Sequence, residues 1–317
     1  MSNKHKIFID GKAGTTGLKI YERLGKRDDI EILLIDEDKR KDANERARLI
    51  NSAEIVFLCL PDAAAKEAVS LCTNPDVRII DASTAHRTAD GWDYGFPELS
   101  EQHRENIRKS KRVANPGCYA SGFISLVYPL VKAGVLPEDY PLVSHAVSGY
   151  SGAGNKMIAA MEGADKTFEM NSPRQYALAQ HHKHLPEMQK ICGLKHPPMF
   201  NPIVDDYFSG MVVSVPLLSR GLTKKYTPAD IHEIMTAHYA GQHFVKVMEL
   251  GGEETLPDGF LAANTLADTN NMQIFVFGND EQILLCSRLD NLGKGASGAA
   301  VQSMNIMLGL DEATGLE

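Results

Sequence analysis

Cysteine is scarce in this sequence, and its spacing excludes two common structural uses. The 317 residues include five cysteines, and no two of them form a C-x-x-C pair or a zinc-ligand spacing. An odd number without such spacing argues against a disulfide framework and is typical of a reducing compartment. Four lie in stretches typical of packing or surface positions: Cys59, Cys72, Cys192 and Cys286. Cys118 differs, because it follows Pro116 and Gly117 on a predicted turn that leaves its sulfur accessible.

Long apolar runs and an excess of basic residues are also absent. No stretch approaches the ~18 consecutive apolar residues of a membrane-spanning helix, so we expect no membrane partner. The net charge of -8 disfavours nucleic acid as a partner, because phosphate binding requires a clustered basic surface. The N-terminus runs directly into a strand pattern and does not resemble a signal or transit peptide. We therefore expect a cytoplasmic protein that acts on a small molecule.

Strand and helix patterns alternate along the first third of the chain. Strands are predicted in KIFIDG, IEILLID, EIVFLCLP and VRIIDAS, with helices in TTGLKIYERLGKR, ANERARLINSA and DAAAKEAVSLC between them. The strands are short continuous apolar runs, which is typical of a parallel sheet covered on both faces. This alternation predicts an α/β fold whose first domain, residues 1–117, is doubly wound (Rossmann).

The pattern changes after a helix that is predicted to begin near Cys118. Strand-like stretches of a mixed or antiparallel kind follow, among them YPLVSHAVSGYSGAG, SGMVVSVPLLSRG and NMQIFVFGNDEQILLCSRLDN. We expect a second, α+β domain with a mixed sheet over residues 118–291, and that sheet is a candidate dimer surface. The final segment, about 292–317, has apolar residues at helical spacing and predicts a C-terminal helix.

A glycine-rich turn follows the first predicted strand and opens the first predicted helix. Its spacing is G-x-x-G-x-x-G, a variant of the dinucleotide fingerprint, and glycines there allow a pyrophosphate to approach the helix N-terminus. A glycine turn without a ligand has the same appearance, but the strand–turn–helix context favours a cofactor. We expect a dinucleotide to contact Gly11, Gly14, Thr15, Thr16 and Gly17.

The residues after the second strand give a mixed signal about the cofactor. Asp36 lies about 20 residues beyond the last glycine, where an acidic side chain would bind the ribose of NAD. Lys39, Arg40 and Lys41 follow, and any of them would suit the 2′-phosphate of NADP. A solvated charged loop has the same composition, so NAD and NADP both stay open on this pattern.

Cys118 has the setting of a nucleophile. A helix N-terminus stabilises a thiolate, and backbone N–H groups at the same turn can hold an oxyanion. The stretch AQHHKHLPE offers His181, His182 and His184 as candidate bases. We expect an extended segment, on which His182 and His184 share a face towards Cys118 while His181 points away, and a helix that begins at Pro186 at the earliest. An H-x-H pair also suits a metal, but no third ligand at a sensible spacing follows, so we expect none. A nucleophilic cysteine beside a dinucleotide site indicates a thioester intermediate that is then reduced.

The cysteine turn ANPGCYASG contains the pattern P-G-C-[YF]-x-[ST]-[GA]. Six further segments lie along most of the chain: GTTGLKI, DASTAHR, YGFPEL, SGYSGAG, HHKHLPE and DNLGKGASGAAVQSMN. In these motifs and in their order, the chain resembles the shorter class of a known family, the N-acetyl-γ-glutamyl-phosphate reductases. The resemblance implies an NADP-binding first domain completed by the C-terminal helix, a catalytic and dimerisation domain, and a homo-oligomer (dimer or tetramer).

The resemblance also implies a role for each matching residue. Cys118 takes the role of the nucleophile, and the acid–base role falls on His182 or His184 in the H-x-H-x-P-E motif. Asn291 matches a residue close to the nicotinamide. The positions that match substrate-binding segments are Arg87, Ser148, Gly149 and Ser151. The ending of DASTAHR departs from that of the longer class, which leaves the role of His86 open.

The implied reaction is the third step of arginine biosynthesis. Cys118 attacks N-acetyl-γ-glutamyl phosphate, phosphate leaves, and the thioester is reduced by NADPH to N-acetylglutamate 5-semialdehyde. An aspartate-semialdehyde dehydrogenase would share this architecture and chemistry but has a different cysteine turn. A non-catalytic NADP-sensing protein leaves the cysteine and histidines without a use, and a cysteine hydrolase leaves the glycine turn without one.

Overall fold

The computed structural model describes residues 4–317, which form two compact units. One comprises the described residues up to Gly117 together with Ala296–Glu317, and the other is Cys118–Gly295. The strands are β1 His5–Asp10, β2 Ile30–Leu33, β3 Ile55–Leu58, β4 Arg78–Asp81, β5 Asp93–Tyr94, β6 Arg112–Ala114, β7 Val143–Gly149, β8 Arg174–Gln175, β9 Met199–Asp205, β10 Met211–Leu218, β11 Val245–Val247, β12 Met272–Gly278 and β13 Gln282–Leu289. The α-helices are α1 Thr15–Leu24, α2 Ala43–Ser52, α3 Asp62–Leu71, α4 Glu101–Lys109, α5 Cys118–Lys132, α6 Asn155–Glu162, α7 Leu185–Cys192, α8 Pro228–His238 and α9 Gly298–Leu308.

The first unit contains a six-stranded sheet in which every pairing is parallel. Its strand order is β2-β1-β3-β4-β6-β5. All four residues of β3, Ile55 to Leu58, are fully buried. A strand buried on both faces carries apolar side chains at every position, which explains why the sequence lacks alternation here. The predicted doubly wound sheet is confirmed.

Three elements of this sheet region were not predicted from the sequence. Strands β5 and β6 are two and three residues long, too short for a recognisable pattern. Helix α4, EQHRENIRK, is strongly polar, and Ile107 is its only buried residue in the structure. Its start does carry a signal, because the Ser100 hydroxyl accepts a hydrogen bond from the backbone of His103.

The C-terminal helix α9 belongs to the first unit and is held there by hydrogen bonds. Arg27, which follows α1, donates to the side chain of Asn305 at 2.6 Å and to the carbonyl of Thr314 at 3.2 Å. Gln302 donates to the buried carboxylate of Glu98 at 2.8 Å. These contacts attach the C-terminal segment to residues near the start and the end of the first 117 residues.

The second unit contains a seven-stranded mixed sheet in the order β11-β12-β13-β10-β7-β9-β8. Strands β12, β13, β10 and β7 pair antiparallel, whereas β7 with β9 and β11 with β12 pair parallel. Helix α5 packs closely on the sheet, because a Cβ atom at Gly122 would lie only 2.4 Å from a Val213 methyl carbon. The predicted mixed sheet of the second domain is confirmed.

Helix α5 contains a proline at Pro129 yet continues past it. Proline has no N–H to donate to the carbonyl four residues earlier, that of Ser125. The Tyr239 hydroxyl donates to that carbonyl at 2.8 Å instead, so the acceptor is satisfied and the helix stays intact. Among residues 4–317, no helix has the length and apolar character needed to cross a membrane.

Candidate active site

The glycine turn has the close backbone packing that its spacing predicts. Gly11 follows β1 with a φ of +91°, and a Cβ atom there would lie 2.3 Å from the carbonyl oxygen of Cys59. A Cβ atom at Gly17 would lie 2.6 Å from the carbonyl oxygen of Gly11. Only glycine fits at both positions, since larger residues would force the backbone apart.

The N-terminus of α1 suits a bound anion. Its N-cap is Gly14, the first turn contains Thr15 and Thr16, and no acidic side chain lies in that turn. Gly14 has no side chain that could cap the helix, and the positive end of the helix dipole lies at this turn. A pyrophosphate fits this chemistry.

A buried ion pair stabilises the strand that leads into the glycine turn. Arg46 of α2 donates two hydrogen bonds, of 3.0 and 2.9 Å, to one carboxylate oxygen of Asp10. Burial raises the pKa of Asp10, and the Arg46 guanidinium partly offsets that effect. This pair is not predicted from the sequence, although the charge within IFIDG, at the end of an apolar strand, signals a residue that needs a partner.

The basic residues predicted to select the cofactor form ion pairs on the surface. Lys39 lies 3.6 Å from the carboxylate of Asp36, and Arg40 lies 3.1 Å from that of Glu37. All four side chains are at least half exposed. The structure therefore brings the basic and acidic candidates together on one turn after β2.

Cys118 is the first residue of α5, as predicted, and is partly exposed. A Cβ atom at Gly295 would lie 2.7 Å from the Cβ of Cys118. Gly295 thus packs its backbone against the candidate nucleophile, a contact that was not predicted from the sequence. The signal was present in DNLGKGASG, where a glycine-rich turn precedes a helix and glycine allows close backbone approach.

The histidine segment is a turn rather than the extended strand expected from H-x-H spacing. His184 has helical backbone angles and is the N-cap of α7, which begins at Leu185, one residue before the predicted earliest start at Pro186. The expected grouping of the side chains still occurs. The rings of His182 and His184 lie 4.7 Å apart, edge to face, whereas His181 is exposed.

An aromatic cluster missed by the sequence analysis connects these histidines to the cysteine turn. The ring of Tyr119, the residue after Cys118, lies 6.1 Å from that of His182 and 5.9 Å from that of His184. The Tyr119 hydroxyl is hydrogen-bonded to Tyr176, and burial raises the pKa of both phenols. Both hydroxyls therefore stay protonated near neutral pH and act as hydrogen-bond donors.

The predicted substrate loop is fixed by Asn291. The Asn291 amide donates to the Ser151 hydroxyl at 2.9 Å, and its oxygen accepts from the backbone of Gly210 at 2.8 Å. A Cβ atom at Gly149 would lie 2.6 Å from two carbonyl oxygens of neighbouring chain, and Ser148 beside it is buried. Asn291 therefore fixes Ser151, two residues beyond the end of β7, where Ser148 and Gly149 lie.

Arg87 is buried and uses its guanidinium on backbone carbonyls. Its Nε donates to the carbonyl of Asn115 at 2.9 Å, and one Nη donates to that of Ala82 at 3.2 Å. The family resemblance implies that Arg87 contacts the substrate, and the structure shows that its guanidinium also holds two backbone carbonyls. Across the described part of the chain, no group of three or more metal-ligating side chains comes together.

Comparison with known proteins identifies relatives that match along the whole chain. Residues 36–109 match the family described as "Semialdehyde dehydrogenase, NAD binding domain", and residues 118–291 match "Semialdehyde dehydrogenase, dimerisation domain". An N-acetyl-gamma-glutamyl-phosphate reductase 2 of a Nostoc species is 50% identical and covers 99% of this chain and 100% of its own. One named N-acetyl-gamma-glutamyl-phosphate reductase from Brucella anthropi is 49% identical, over 96% of this chain and 99% of that protein.

Solved structures with the same fold are more distant in sequence. Aspartate semialdehyde dehydrogenase from Francisella tularensis superimposes with a TM-score of 0.72 at 16% identity, over 96% of this chain and 100% of its own. A second, aspartate semialdehyde dehydrogenase II from Vibrio cholerae, gives 0.70 at 15% identity, over 97% and 99%. At such identity the similarity concerns the fold alone.

Proposed function

The chain belongs to the N-acetyl-γ-glutamyl-phosphate reductases within the semialdehyde dehydrogenase family, and on this premise we propose that it reduces N-acetyl-γ-glutamyl phosphate to N-acetylglutamate 5-semialdehyde. The family resemblance predicted from the sequence is confirmed by full-length relatives at 50% and 49% identity. One observation carries the proposal. Cys118 begins α5, and His182 and His184 pack on the ring of the next residue, Tyr119.

The nucleophile in this proposal is the Cys118 thiolate. Its sulfur forms a bond to the γ-carbonyl carbon, and the bond from that carbon to the phosphate oxygen breaks, which leaves a thioester. The N-terminus of α5 favours the negative charge on sulfur, and its first N–H groups suit the oxygen of the tetrahedral intermediate. The Gly295 backbone also packs against Cys118.

NADPH, when bound, supplies the hydride that reduces the thioester carbon. The residues proposed to hold it are Gly11, Gly14, Thr15, Thr16 and Gly17, because the turn has no side chains at its glycines and leads into a helix whose N-cap is Gly14 and whose first turn has no acidic residue. Lys39 and Arg40 are proposed to hold the 2′-phosphate and so to favour NADP over NAD. Asn291 is proposed to act near the nicotinamide through the loop that it fixes.

The histidines are proposed to move the proton. When the thiohemiacetal collapses, its hydroxyl gives up a proton and the carbon–sulfur bond breaks to release the aldehyde and the thiolate. A histidine close to the reacting oxygen accepts that proton and returns it in the reverse reaction. Arg87, Ser148, Gly149 and Ser151 are proposed to bind the substrate.

We also propose that the outer face of the seven-stranded sheet binds a second copy of the chain. Along β10 the odd positions are buried, whereas Val212, Ser214, Pro216 and Leu218 face outwards and are at least partly exposed. Leu284 of β13 is 38% exposed beside them, and a cavity of about 530 Å³ opens on this face. The matched family carries the description of a dimerisation domain, which supports a homo-oligomer.

The dimer is tested by placing a charge on this apolar face. Leu284→Glu should lower the mass measured by light scattering to that of a single chain, because a buried charge at a sheet-to-sheet interface is costly. Leu34→Glu, at a residue that is 60% exposed in the first unit, is the matched control. An unchanged mass for Leu284→Glu would exclude this face as the dimer interface.

The cytoplasmic location expected from the sequence stays a prediction.

The reaction is best tested in the reverse direction. Phosphate-dependent oxidation of N-acetylglutamate semialdehyde should be measured beside that of aspartate semialdehyde, each with NADP and with NAD. We expect turnover of the acetylated substrate with NADP. Turnover of aspartate semialdehyde alone would show that the substrate assignment is wrong and that the chain has the activity named for its structural neighbours.

A further inference from the structure

A buried carboxylate at the end of β4 organises the loop that follows it. Asp81 is fully buried, and its carboxylate accepts hydrogen bonds from the N–H of Ser83 at 2.9 Å and from the Ser83 hydroxyl at 2.7 Å. Nδ1 of His86 lies 2.6 Å from the same carboxylate and donates to it, since an ionised carboxylate only accepts. The loop from residue 82 to 87 is therefore organised by hydrogen bonds to the Asp81 carboxylate.

The same loop is held at two further points. Thr84 donates from its N–H, at 3.0 Å, and from its hydroxyl, at 2.6 Å, to the carboxylate of Asp62 at the start of α3. The His86 ring stacks on Trp92 with centroids 4.1 Å apart and planes 12° from parallel. His86 is thus fixed by a hydrogen bond at its edge and by a ring across its face.

Arg87 is the residue after His86 in this loop. Its hydrogen bonds to the carbonyls of Asn115 and Ala82 join the loop to the segment that leads to the cysteine. Asn115 is held from two other directions: its N–H donates to the Asp81 carbonyl at 2.8 Å, and its side chain donates to the Ala296 carbonyl at 3.0 Å. Asn115 lies three residues before Cys118.

We propose that Asp81 and His86 are positioning residues for the covalent step, because they fix the loop from which Arg87 holds the carbonyl of Asn115. Neither residue has a role in the proposed reaction, and the inference rests on Cys118 as its nucleophile. A displaced nucleophile loses rate steeply, about 100-fold for a shift of about 1 Å. Asp81 and His86 are therefore expected to affect turnover more than substrate binding.

The test uses three variants and one matched control. Asp81→Asn replaces an acceptor oxygen by a donor, His86→Ala removes the hydrogen bond, and His86→Asn keeps an N–H close to the position of Nδ1. The control is His5→Ala, because Nδ1 of His5 lies 2.7 Å from the Glu54 carboxylate in an exposed pair of the same unit. Trp92 is the only tryptophan of the chain, so its fluorescence reports on this loop alone.

We expect Asp81→Asn and His86→Ala to lower kcat about tenfold or more, with a smaller rise in KM because the same loop carries Arg87, while His86→Asn recovers part of the loss and His5→Ala has no effect. Asp81→Asn should also increase acrylamide quenching of Trp92. A KM effect alone, or equal losses in His86→Asn and His86→Ala, would overturn the proposal. If Asp81→Asn does not fold, the two His86 variants decide.

A substrate-free measurement separates this inference from the proposed function. In the wild type, iodoacetamide should alkylate Cys118, and we expect His86→Ala to slow that reaction at least about threefold because the helix N-terminus no longer favours the thiolate in a fixed position. If no substrate is turned over but alkylation slows, the proposed function fails and the positioning role stands. If alkylation and kcat both match the wild type, the positioning role is wrong.

Discussion

The backbone N–H of His184 donates a hydrogen bond of 3.2 Å to Nδ1 of His182. Nδ1 must then carry a lone pair, so the proton of the neutral His182 ring lies on Nε2. In this tautomer His182 presents a donor and not a base. His182 is therefore suited to stabilise an oxyanion by donating a hydrogen bond from Nε2, and the proton-acceptor role is left to His184, whose ring packs edge to face against it at 4.7 Å.

Two amide variants of His182 separate the functions of its two nitrogens. His182→Gln places an N–H close to the position of Nε2, whereas His182→Asn keeps an acceptor for the His184 N–H and loses the distal donor. We expect His182→Gln to retain clearly more kcat than His182→Asn, which should lose about 100-fold or more. His181→Asn, at an exposed neighbour, should behave as the wild type. A better kcat for His182→Asn than for His182→Gln would contradict the donor role.

Cys118→Ser should lower kcat by several orders of magnitude without affecting the fold. An unassisted hydroxyl is a much poorer nucleophile than a thiolate, and the serine side chain occupies nearly the same space. Burial raises the pKa of Cys59 to about 12 and that of Cys286 to about 11, so these thiols stay protonated and should not react with iodoacetamide at neutral pH. Alkylation mapped by mass spectrometry should find Cys118, and Cys118→Ser with a tenth of wild-type kcat would exclude covalent catalysis.

The sequence predicts the first sheet well because its strands are apolar at every position. All four residues of β3 are fully buried, and burial on that scale leaves a clear pattern. Strand β5 has only two residues and exists because it pairs with β6. Such an element depends on its neighbour and leaves no pattern of its own in the sequence.

The candidate site is predicted less completely, for a different reason. Single residues such as Cys118 can be recognised from their motifs, but their partners come from distant parts of the chain. Gly295 packs against Cys118 across more than half the sequence, and Arg46 reaches Asp10 from another element. The turn at His182 also differs from an extended segment because a backbone N–H, invisible in a side-chain pattern, bonds to its ring.

His238 should make stability depend on pH in the mildly acidic range. Burial lowers the pKa of His238 from 6.5, and its Nε2 has no hydrogen-bond partner within the described residues. As the pH falls below 6.5, the unfolded chain takes up a proton that the folded chain does not, so stability is lost until the folded pKa is passed. His238→Phe, which keeps the ring contacts with Tyr128 and Tyr239, should reduce the fall in Tm on acidification. His181→Asn should leave it unchanged, and an identical fall in His238→Phe would exclude this residue as the cause.

Gly295→Ala should disturb the nucleophile without affecting the cofactor turn. The added Cβ would lie 2.7 Å from the Cβ of Cys118 and 3.0 Å from the carbonyl oxygen of Asp290, so one of these groups must shift. We expect kcat to fall about 100-fold with unchanged NADPH binding measured by calorimetry. Gly25→Ala is the control, because Gly25 has right-handed helical angles at the end of α1 and its nearest contact is 3.1 Å. Equal activity of both variants would show that Cys118 tolerates the shift.

The basic turn after β2 should select NADP through charges that are already paired. Lys39 and Arg40 lie beside Asp36 and Glu37 in exposed ion pairs, and such pairs contribute about 1 kcal/mol or less. A 2′-phosphate carries more charge than a carboxylate and can displace it, since Arg and Lys bind phosphate strongly. Replacing Lys39 and Arg40 together by Ala should raise the KM for NADPH about tenfold or more while that for NADH changes little. Arg48→Ala is the control, because Arg48 forms a similar exposed pair with Glu45 on α2. Equal changes for the two cofactors would show that this turn does not read the phosphate, and the preference would then have to arise at the glycine turn itself.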